Sequence, residues 1–327
     1  MKTLFLTHNP HEVHLEWAKA IDAKVKIIPF DKLVNLSKKY RFLNYLYPLI
    51  SLAYSFFVKV EEDIILVEGG SSLYTAVFLK MRRGNIKIVY LDCDIYFYNW
   101  GRKNFLVNKI KKYFVNKIDG VISVSEQNKK MLGRKIKKPS AVVNPYPKKI
   151  TNKNKKRENT GLYIGRLDPD KNIKNMINYV LQCPYLDKFR IVGDGALKKY
   201  VEKISKKEKK IEYLGFDQNV EKHYNKNKIL LHLAEYDPCT CTTMEAALGG
   251  CYPILSKGIG SKYLFNEMFI VNPRNYTEIN KKIKYVLENE NEAKKELDKT
   301  IKKIPVKEDT IKDFKKVYKE ITRNFVK

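Results

Sequence analysis

"AEYDPCTCTTMEAALGGCYP", residues 234–253, is the stretch on which the fold turns. It follows an apolar run, Ile229 to Leu233, that reads as a buried strand ending at its carboxyl terminus, and it closes on Gly249 and Gly250 ahead of a second apolar run, "YPILS". Strand, loop, helix and strand in that order are the grammar of a parallel α/β layer. Two acids, Asp237 and Glu245, stand eight positions apart across the loop and the helix start.

The same grammar extends outward in both directions. Strands are expected near Thr3 to Thr7, Val25 to Ile28, Asp63 to Val67, Lys87 to Leu91 and Gly120 to Val124, each followed by a longer helical pattern. The alternation breaks at "NPYPKKITNKNKKRENT", residues 144–160, a lysine- and asparagine-rich stretch with two prolines that reads as a linker. Beyond it the pattern resumes with "GLYI" at 161, "FRIV" at 189, "IEYL" at 211, "KILLHL" at 228, "YPILS" at 252 and "MFIV" at 268. Three helical stretches without strands then follow, near 275–289, 291–302 and 308–325. Strands alternating with helices on both sides of one linker imply two doubly wound parallel sheets. The length agrees, since 327 residues exceed what one core usually serves.

Hydrophobic residues make up 44% of the chain, enough for globular cores. Cys93, Cys183, Cys239, Cys241 and Cys251 sit in or beside apolar runs without a repeated zinc-ligand spacing, which favours a reducing cytoplasm. The opening "MKTLFLTHNP" has too short an apolar run for an export signal and reads as a first strand. The net charge of +28 has two readings: a lysine-biased surface, since only 10 of the 64 basic residues are arginine, or attraction to an anionic partner. Nucleic acid is not expected as that partner, because no helix-turn-helix, zinc-finger or aromatic-basic RNA motif appears.

Chemistry concentrates in two places. "LYIGRLDPDKNIKNMINYV" begins as a strand, turns at Gly165, and sets Arg166 and Lys171 on the loop that feeds the next helix. Ligands of open α/β sheets bind beyond the carboxyl ends of strands, where helix N-termini favour anions, so two cations there suit a diphosphate. In the opening stretch, Thr242 followed by Glu245 has the spacing of a helix-capping box. Capping accounts for Glu245 and leaves Asp237 and the small threonine and cysteine side chains for a ligand.

"GRLDPDK", "RIVGDGALKKYVEK", "IEYLGF" and "HLAEYDPCTCTTMEAALGGCYPIL", in that order and spacing, resemble the donor domain of the retaining nucleotide-sugar glycosyltransferases of the GT-B fold, usually called family four or group 1. That family has two glutamates separated by seven residues, and Asp237 with Glu245 has that spacing with aspartate first. The resemblance implies a GT-B architecture, two Rossmann-like domains facing each other across a cleft: an acceptor-binding domain over 1–146, a donor-binding domain over 147–307, and a helix over 308–327 crossing back to the first. It implies that Arg166 and Lys171 hold the donor diphosphate and Asp237 the transferred sugar as catalytic residues. Glu245 would take the ribose hydroxyls, the amides near Thr242 and Thr243 the phosphate, and Gly165 and Gly193 would complete the donor side. A UDP- or GDP-linked sugar as substrate, no metal, and a saccharide or lipid-linked acceptor follow from the same resemblance.

The first half resembles the family's acceptor domain through "DGVISVSEQNKKML" at 119 and "AVVNPYP" at 141. It departs from it at "THNPHE", where the family often has a glycine pair, and after "KIVYL", where Asp92, Cys93 and Asp94 replace a usual histidine. Asp92 and Asp94 become candidates for acceptor contact, with Gly69 and Gly70, which close a strand and open a helix. "DCD" also raises a rival, the Mn²⁺-dependent GT-A glycosyltransferases that use Asp-x-Asp, although "DPD" at 168–170 shows how readily the triplet arises. His8, His11 and His14 are spaced by three, which a half-exposed helix start or an acceptor-site edge explains better than zinc. A catalytically silent GT-B protein that binds a nucleotide sugar is the alternative from another class.

Two segments bear on a membrane. "GRKNFLVNKIKKYFVNKI", residues 101–118, has six basic residues, no acid, and Leu106, Ile110, Tyr113 and Phe114 at helical spacing. It suits either an anionic membrane surface or ordinary packing on the sheet. "FLNYLYPLISLAYSFFV", residues 42–58, is interrupted by Asn44 and Pro48 and too short for a usual span, so it reads as a buried or interfacial helix. The expected location is cytoplasmic, with peripheral contact to the inner face of a membrane.

Overall fold

A computed structural model describes residues 1–29, 46–98, 105–152, 156–323 and 325. The chain divides into two compact units, one formed by 1–145 with 306–327 and the other by 146–305.

In the first unit, β1 (Thr3–Thr7), β2 (Lys24–Ile27), β3 (Ile64–Glu68), β4 (Lys87–Asp92), β5 (Gly120–Ser123) and β6 (Ser140–Val142) form one sheet in the order β2-β1-β3-β4-β5-β6. Every pairing is parallel. The central strand β3, "IILVE", is buried along its whole length, as a parallel strand must be when helices cover both faces. Those helices include α1 (Glu12–Ala20), α2 (Tyr47–Phe57), α3 (Gly69–Arg83), α4 (Phe105–Asn116) and α5 (Glu126–Gly133). Residues 42–45 and 101–104 of the two segments singled out above lie outside the described residues.

In the second unit, β7 (Glu158–Ile164), β8 (Phe189–Val192), β9 (Ile211–Gly215), β10 (Asn227–His232), β11 (Tyr252–Ser256) and β12 (Ile270–Val271) form a second six-stranded sheet, ordered β12-β11-β10-β7-β8-β9 and parallel throughout. It is covered by α6 (Ile173–Gln182), α7 (Lys198–Lys207), α8 (Glu221–Lys226), α9 (Cys241–Leu248), α10 (Tyr276–Glu288) and α11 (Glu290–Ile301). The last helix, α12 (Lys307–Arg323), belongs to the first unit, where Phe314 stacks on Trp17 at 5.0 Å and the Tyr318 hydroxyl meets Thr3 Oγ1 at 2.6 Å.

Two local expectations change. The strand expected from Met268 shrinks to Ile270–Val271, because Asn266 caps a single 3₁₀ turn by accepting from the Met268 amide at 3.0 Å. The polar end of the expected linker becomes the start of β7, because Arg190 of the neighbouring strand donates to Glu158 at 2.6 Å and Thr160 at 3.2 Å and so satisfies polar side chains inside the ladder.

Candidate active site

In an open α/β sheet the ligand crevice lies at the carboxyl ends of the two strands where the chain's direction of winding reverses. In the second unit that point is between β7 and β10, adjacent in space although β8 and β9 intervene in sequence. Arg166 and Lys171 follow β7, and Asp237 follows β10. The side-chain amide of Asn172 donates to the Leu233 carbonyl at 2.9 Å, tying the two loops together.

Lys171 and Asp237 meet there as an ion pair, Nζ to Oδ2 at 2.7 Å, with both side chains about nine-tenths buried. His232 Nε2 lies 3.3 Å from the same oxygen, and Tyr163 stacks against the imidazole. Burial pushes the Asp237 carboxyl up, but the Lys171 ammonium and His232 outweigh it and hold the acid well below its usual range. Burial pulls Lys171 down, and Asp237 with Asp170 carries it back above its ordinary value. The pair is therefore fully ionised at neutral pH. Backbone bonds from the Asp237 amide to Gly258 and from the Gly260 amide to Asp237 fix the carboxylate's position.

Arg166 donates to Asp168 at 2.7 Å, yet its side chain stays 61% exposed, so it is the open cation of the site. Gly165 and Gly193 are at the tips of β7 and β8 with positive φ, and a Cβ on Gly193 would lie 1.9 Å from the Gly165 carbonyl oxygen. Only glycine permits this approach of the two strand ends.

Glu245 is buried; its carboxylate accepts from the Tyr224 hydroxyl at 2.9 Å and the Lys148 amide at 3.3 Å, and burial pushes its pKa up. This overturns the capping-box expectation. Helix α9 starts at Cys241 with Thr240 as N-cap and no side-chain cap bond, so Thr242 already lies within the first turn and Glu245 turns to Tyr224. Thr243 is fully buried, with its hydroxyl between the Thr240 carbonyl and Ser261 Oγ at 2.9 Å, while Thr242 is half-buried.

The winding of the first unit reverses between β1 and β3. Glu68 ends β3 in the interior, accepting from Thr7 Oγ1 at 2.6 Å, meeting His14 Nδ1 at 2.5 Å and receiving the His11 amide at 3.4 Å. Burial raises its pKa, and these partners more than reverse that. Asp94 accepts from the amides of Gly70 and Tyr96, both at 2.8 Å, so the structure does bring Gly69, Gly70 and Asp94 together. Asp92 turns inward instead: it is fully buried, accepts from Ser123 Oγ at 3.1 Å, and is pushed up to about 8 by burial and the neighbouring Asp94. Its Oδ1 has no hydrogen-bond partner among the described residues.

His11 caps α1 by accepting from the Val13 amide at 3.3 Å, and His8 Nδ1 meets Ser71 Oγ at 2.9 Å. Among the described residues one trio of metal-ligand types, His14, Glu68 and Cys93, has its ligand atoms within 4.8 Å of one another, and the hydrogen bonds to Glu68 account for that gathering.

His232, Glu68 and Tyr224, and the role of His14, escape a sequence reading that starts from motifs. His232 leaves a signal, a polar residue inside "KILLHL", and Glu68 leaves another, an acid closing an apolar strand just before two glycines. Tyr224 leaves none, because its partner Glu245 is 21 positions away, and the spacing of three that singles out His14 does not point to Glu68, 54 positions away.

Comparison with known proteins agrees with this architecture. Residues 147–304 match the family model described as glycosyl transferases group 1. A search of curated proteins finds no match. Among solved structures, HepE from Anabaena in complex with UDP superposes with a TM-score of 0.71 at 16% identity over 100% of both chains. Sucrose-phosphate synthase from Thermosynechococcus elongatus gives 0.78 at 13% identity, over 99% of this chain and 100% of its own. WaaB, a lipopolysaccharide outer core galactosyltransferase in its apo form, gives 0.64 at 15% identity over 97% and 99%. Such identities establish a shared fold, that of the GT-B glycosyltransferases, and with two parallel sheets they set aside the GT-A alternative raised by "DCD".

Proposed function

We propose that this chain, GT-B in fold and matching the group 1 glycosyl transferases over its second unit, moves a sugar with retention from a nucleotide diphosphate donor to a saccharide or lipid-linked acceptor. The observation that carries this reading is the gathering of Arg166, Lys171 and Asp237 at the winding reversal of the second unit.

Cleaving the bond from sugar to diphosphate builds negative charge on the leaving phosphate while the sugar becomes oxocarbenium-like. Arg166 and Lys171 answer that charge, and the amides at the start of α9 add to it. Preorganised groups of this kind each contribute about 10² to 10³ in rate. Lys171 reaches the phosphate by leaving Asp237, and the carboxylate is then available to the sugar's hydroxyls with His232 still beside it. Glu245, held by Tyr224, receives the ribose hydroxyls. Two cations supply what a divalent ion supplies elsewhere, so no metal is required in this reading. The HepE structures contain UDP and UDP-glucose, which makes UDP-glucose the first donor to try.

The first unit suits the other substrate. Asp94 and Glu68 accept hydrogen bonds at its own winding reversal, and carboxylates of that kind favour hydroxyl-bearing acceptors over phosphates.

The test is release of nucleoside diphosphate from UDP-, GDP- and ADP-sugars, with and without chelator, for wild type, Arg166→Ala, Asp237→Ala and Glu245→Ala. Release from one donor, insensitive to chelator and about 10²-fold slower in the Arg166 variant, is expected. Chelator-sensitive release would remove the metal-free part of the reading. Nucleotide binding without turnover, even with acceptor extracts, would favour the catalytically silent binder.

A further inference from the structure

We propose that the face of the first unit formed by α2, α3 and α4 docks on an anionic lipid surface. Single exposed apolar residues are ordinary, but a contiguous patch of them is not. Here Leu49, Phe56 and Phe57 of α2, Met81 of α3, and Phe105 and Tyr113 of α4 all face solvent, Phe57 at 84% and Phe105 at 81% exposure. Contacts join the three helices at the surface: the Arg82 guanidinium lies 4.9 Å over the Phe56 ring, and the Tyr113 hydroxyl is 3.6 Å from Met81 Sδ. Lys117 Nζ lies 5.4 Å from the Tyr113 ring.

The charge of this face selects its partner. Residues 47–60, 69–83 and 105–118 contain no aspartate or glutamate, although Asp119 just beyond them pairs with Lys80. Arg82 and Lys117 lie against Phe56 and Tyr113, and Arg83, Lys109 and Lys112 are exposed on the same helices or at their ends. Apolar groups set among cations match a bilayer of anionic headgroups above acyl chains, where hydrophobic insertion and surface potential act together. A second copy would bring the same positive charge to the contact and be repelled. Among the described residues no helix is long and apolar enough to cross a membrane, so the contact is peripheral. It stands on this surface alone, whether or not the second unit transfers a sugar.

Flotation of the full chain with vesicles tests it, using phosphatidylcholine alone or mixed with phosphatidylglycerol, at low and high salt. Wild type is expected to float with the anionic vesicles and to retain part of its binding in high salt, where exposed charges are screened and inserted side chains are not. Phe57→Ser with Phe105→Ser is expected to weaken binding about tenfold or more, and Lys109→Glu with Lys112→Glu to weaken it chiefly at low salt. All four side chains are exposed, so unchanged melting temperatures confirm that the variants fold. Absence of vesicle binding overturns the proposal. So does binding that high salt abolishes and the phenylalanine pair leaves intact, which would express only the overall charge of +28. A patch-dependent dimer in sedimentation without vesicle binding would instead assign the face to a second copy and overturn it as well.

Discussion

The two winding reversals of this molecule are built alike and charged differently. Each buries a carboxylate beside an imidazole at the end of a central strand: Glu68 with His14 in the first unit, Asp237 with His232 in the second. The second adds Lys171 at 2.7 Å and the exposed Arg166, whereas among the described residues the first adds Asp92 and Asp94 and no lysine or arginine paired to its acids. Under the proposed function, a shared scaffold would present the second of these sites to phosphate and the first to hydroxyls. The fold supplies the crevice, and a few side chains at strand ends decide its chemistry.

Removing the lysine should break this contrast most severely. Lys171→Met leaves Asp237 buried without its cation, with an expected loss of about 3 kcal/mol in chemical denaturation and about 10³ in turnover. Adding Asp237→Leu should restore much of the stability and none of the turnover. The folded-state pKa of Asp237 lies below its unfolded value, so the stability from this pair is present above the ordinary carboxyl range. It is lost as pH falls, and the gap between wild type and Lys171→Met should close on acidification.

Asp92 should show the opposite sign. Its folded-state pKa of about 8 lies above the ordinary 3.8, so the native state holds a proton that the unfolded chain releases. Stability from this group is full below 3.8 and declines as pH rises to about 8. Asp92→Asn, which cannot ionise, should gain steadily on wild type over that window in thermal melts, most at its upper end. A constant difference across the window would mean that Asp92 is ionised in the native protein.

Glu68→Gln should cost about 1.5 kcal/mol, the worth of a charge-assisted hydrogen bond to His14, with the deficit shrinking at acid pH because Glu68 is held below its usual value. The smallest effect belongs to Tyr224→Phe, which removes one hydrogen bond to Glu245. Donor KM should rise roughly three- to tenfold with kcat unchanged, because the contact positions a binding group and does not change between ground and transition states.

Most of the architecture was legible because parallel strands write themselves as short apolar runs between longer helical patterns, and the inner strands of both sheets are such runs. Where the reading failed, side-chain hydrogen bonds outweighed local pattern. Asn266 turned half of "MFIV" into a 3₁₀ turn, and Arg190 drew the polar Glu158 and Thr160 into a strand. Thr242 and Glu245 have the spacing of a capping box, but Tyr224, distant in sequence, offered the carboxylate a better partner. At the candidate site the sequence showed which residues stand after which strands. It did not show that Lys171 spends its charge on Asp237, or that Asp92 turns into the core while Asp94 holds the Gly70 amide. Those are tertiary contacts, and spacing carries no trace of them.

Calorimetric titration of UDP, GDP and ADP into wild type, Lys171→Met and Asp237→Asn tests the central claim most directly. If Lys171 is exchanged between the carboxylate and a diphosphate, one nucleotide should bind wild type, bind Lys171→Met at least about tenfold more weakly, and bind Asp237→Asn more tightly, since the competing anion is gone. Binding that ignores both substitutions, or no binding by any of the three nucleotides, would contradict a diphosphate site at the winding reversal of the second unit.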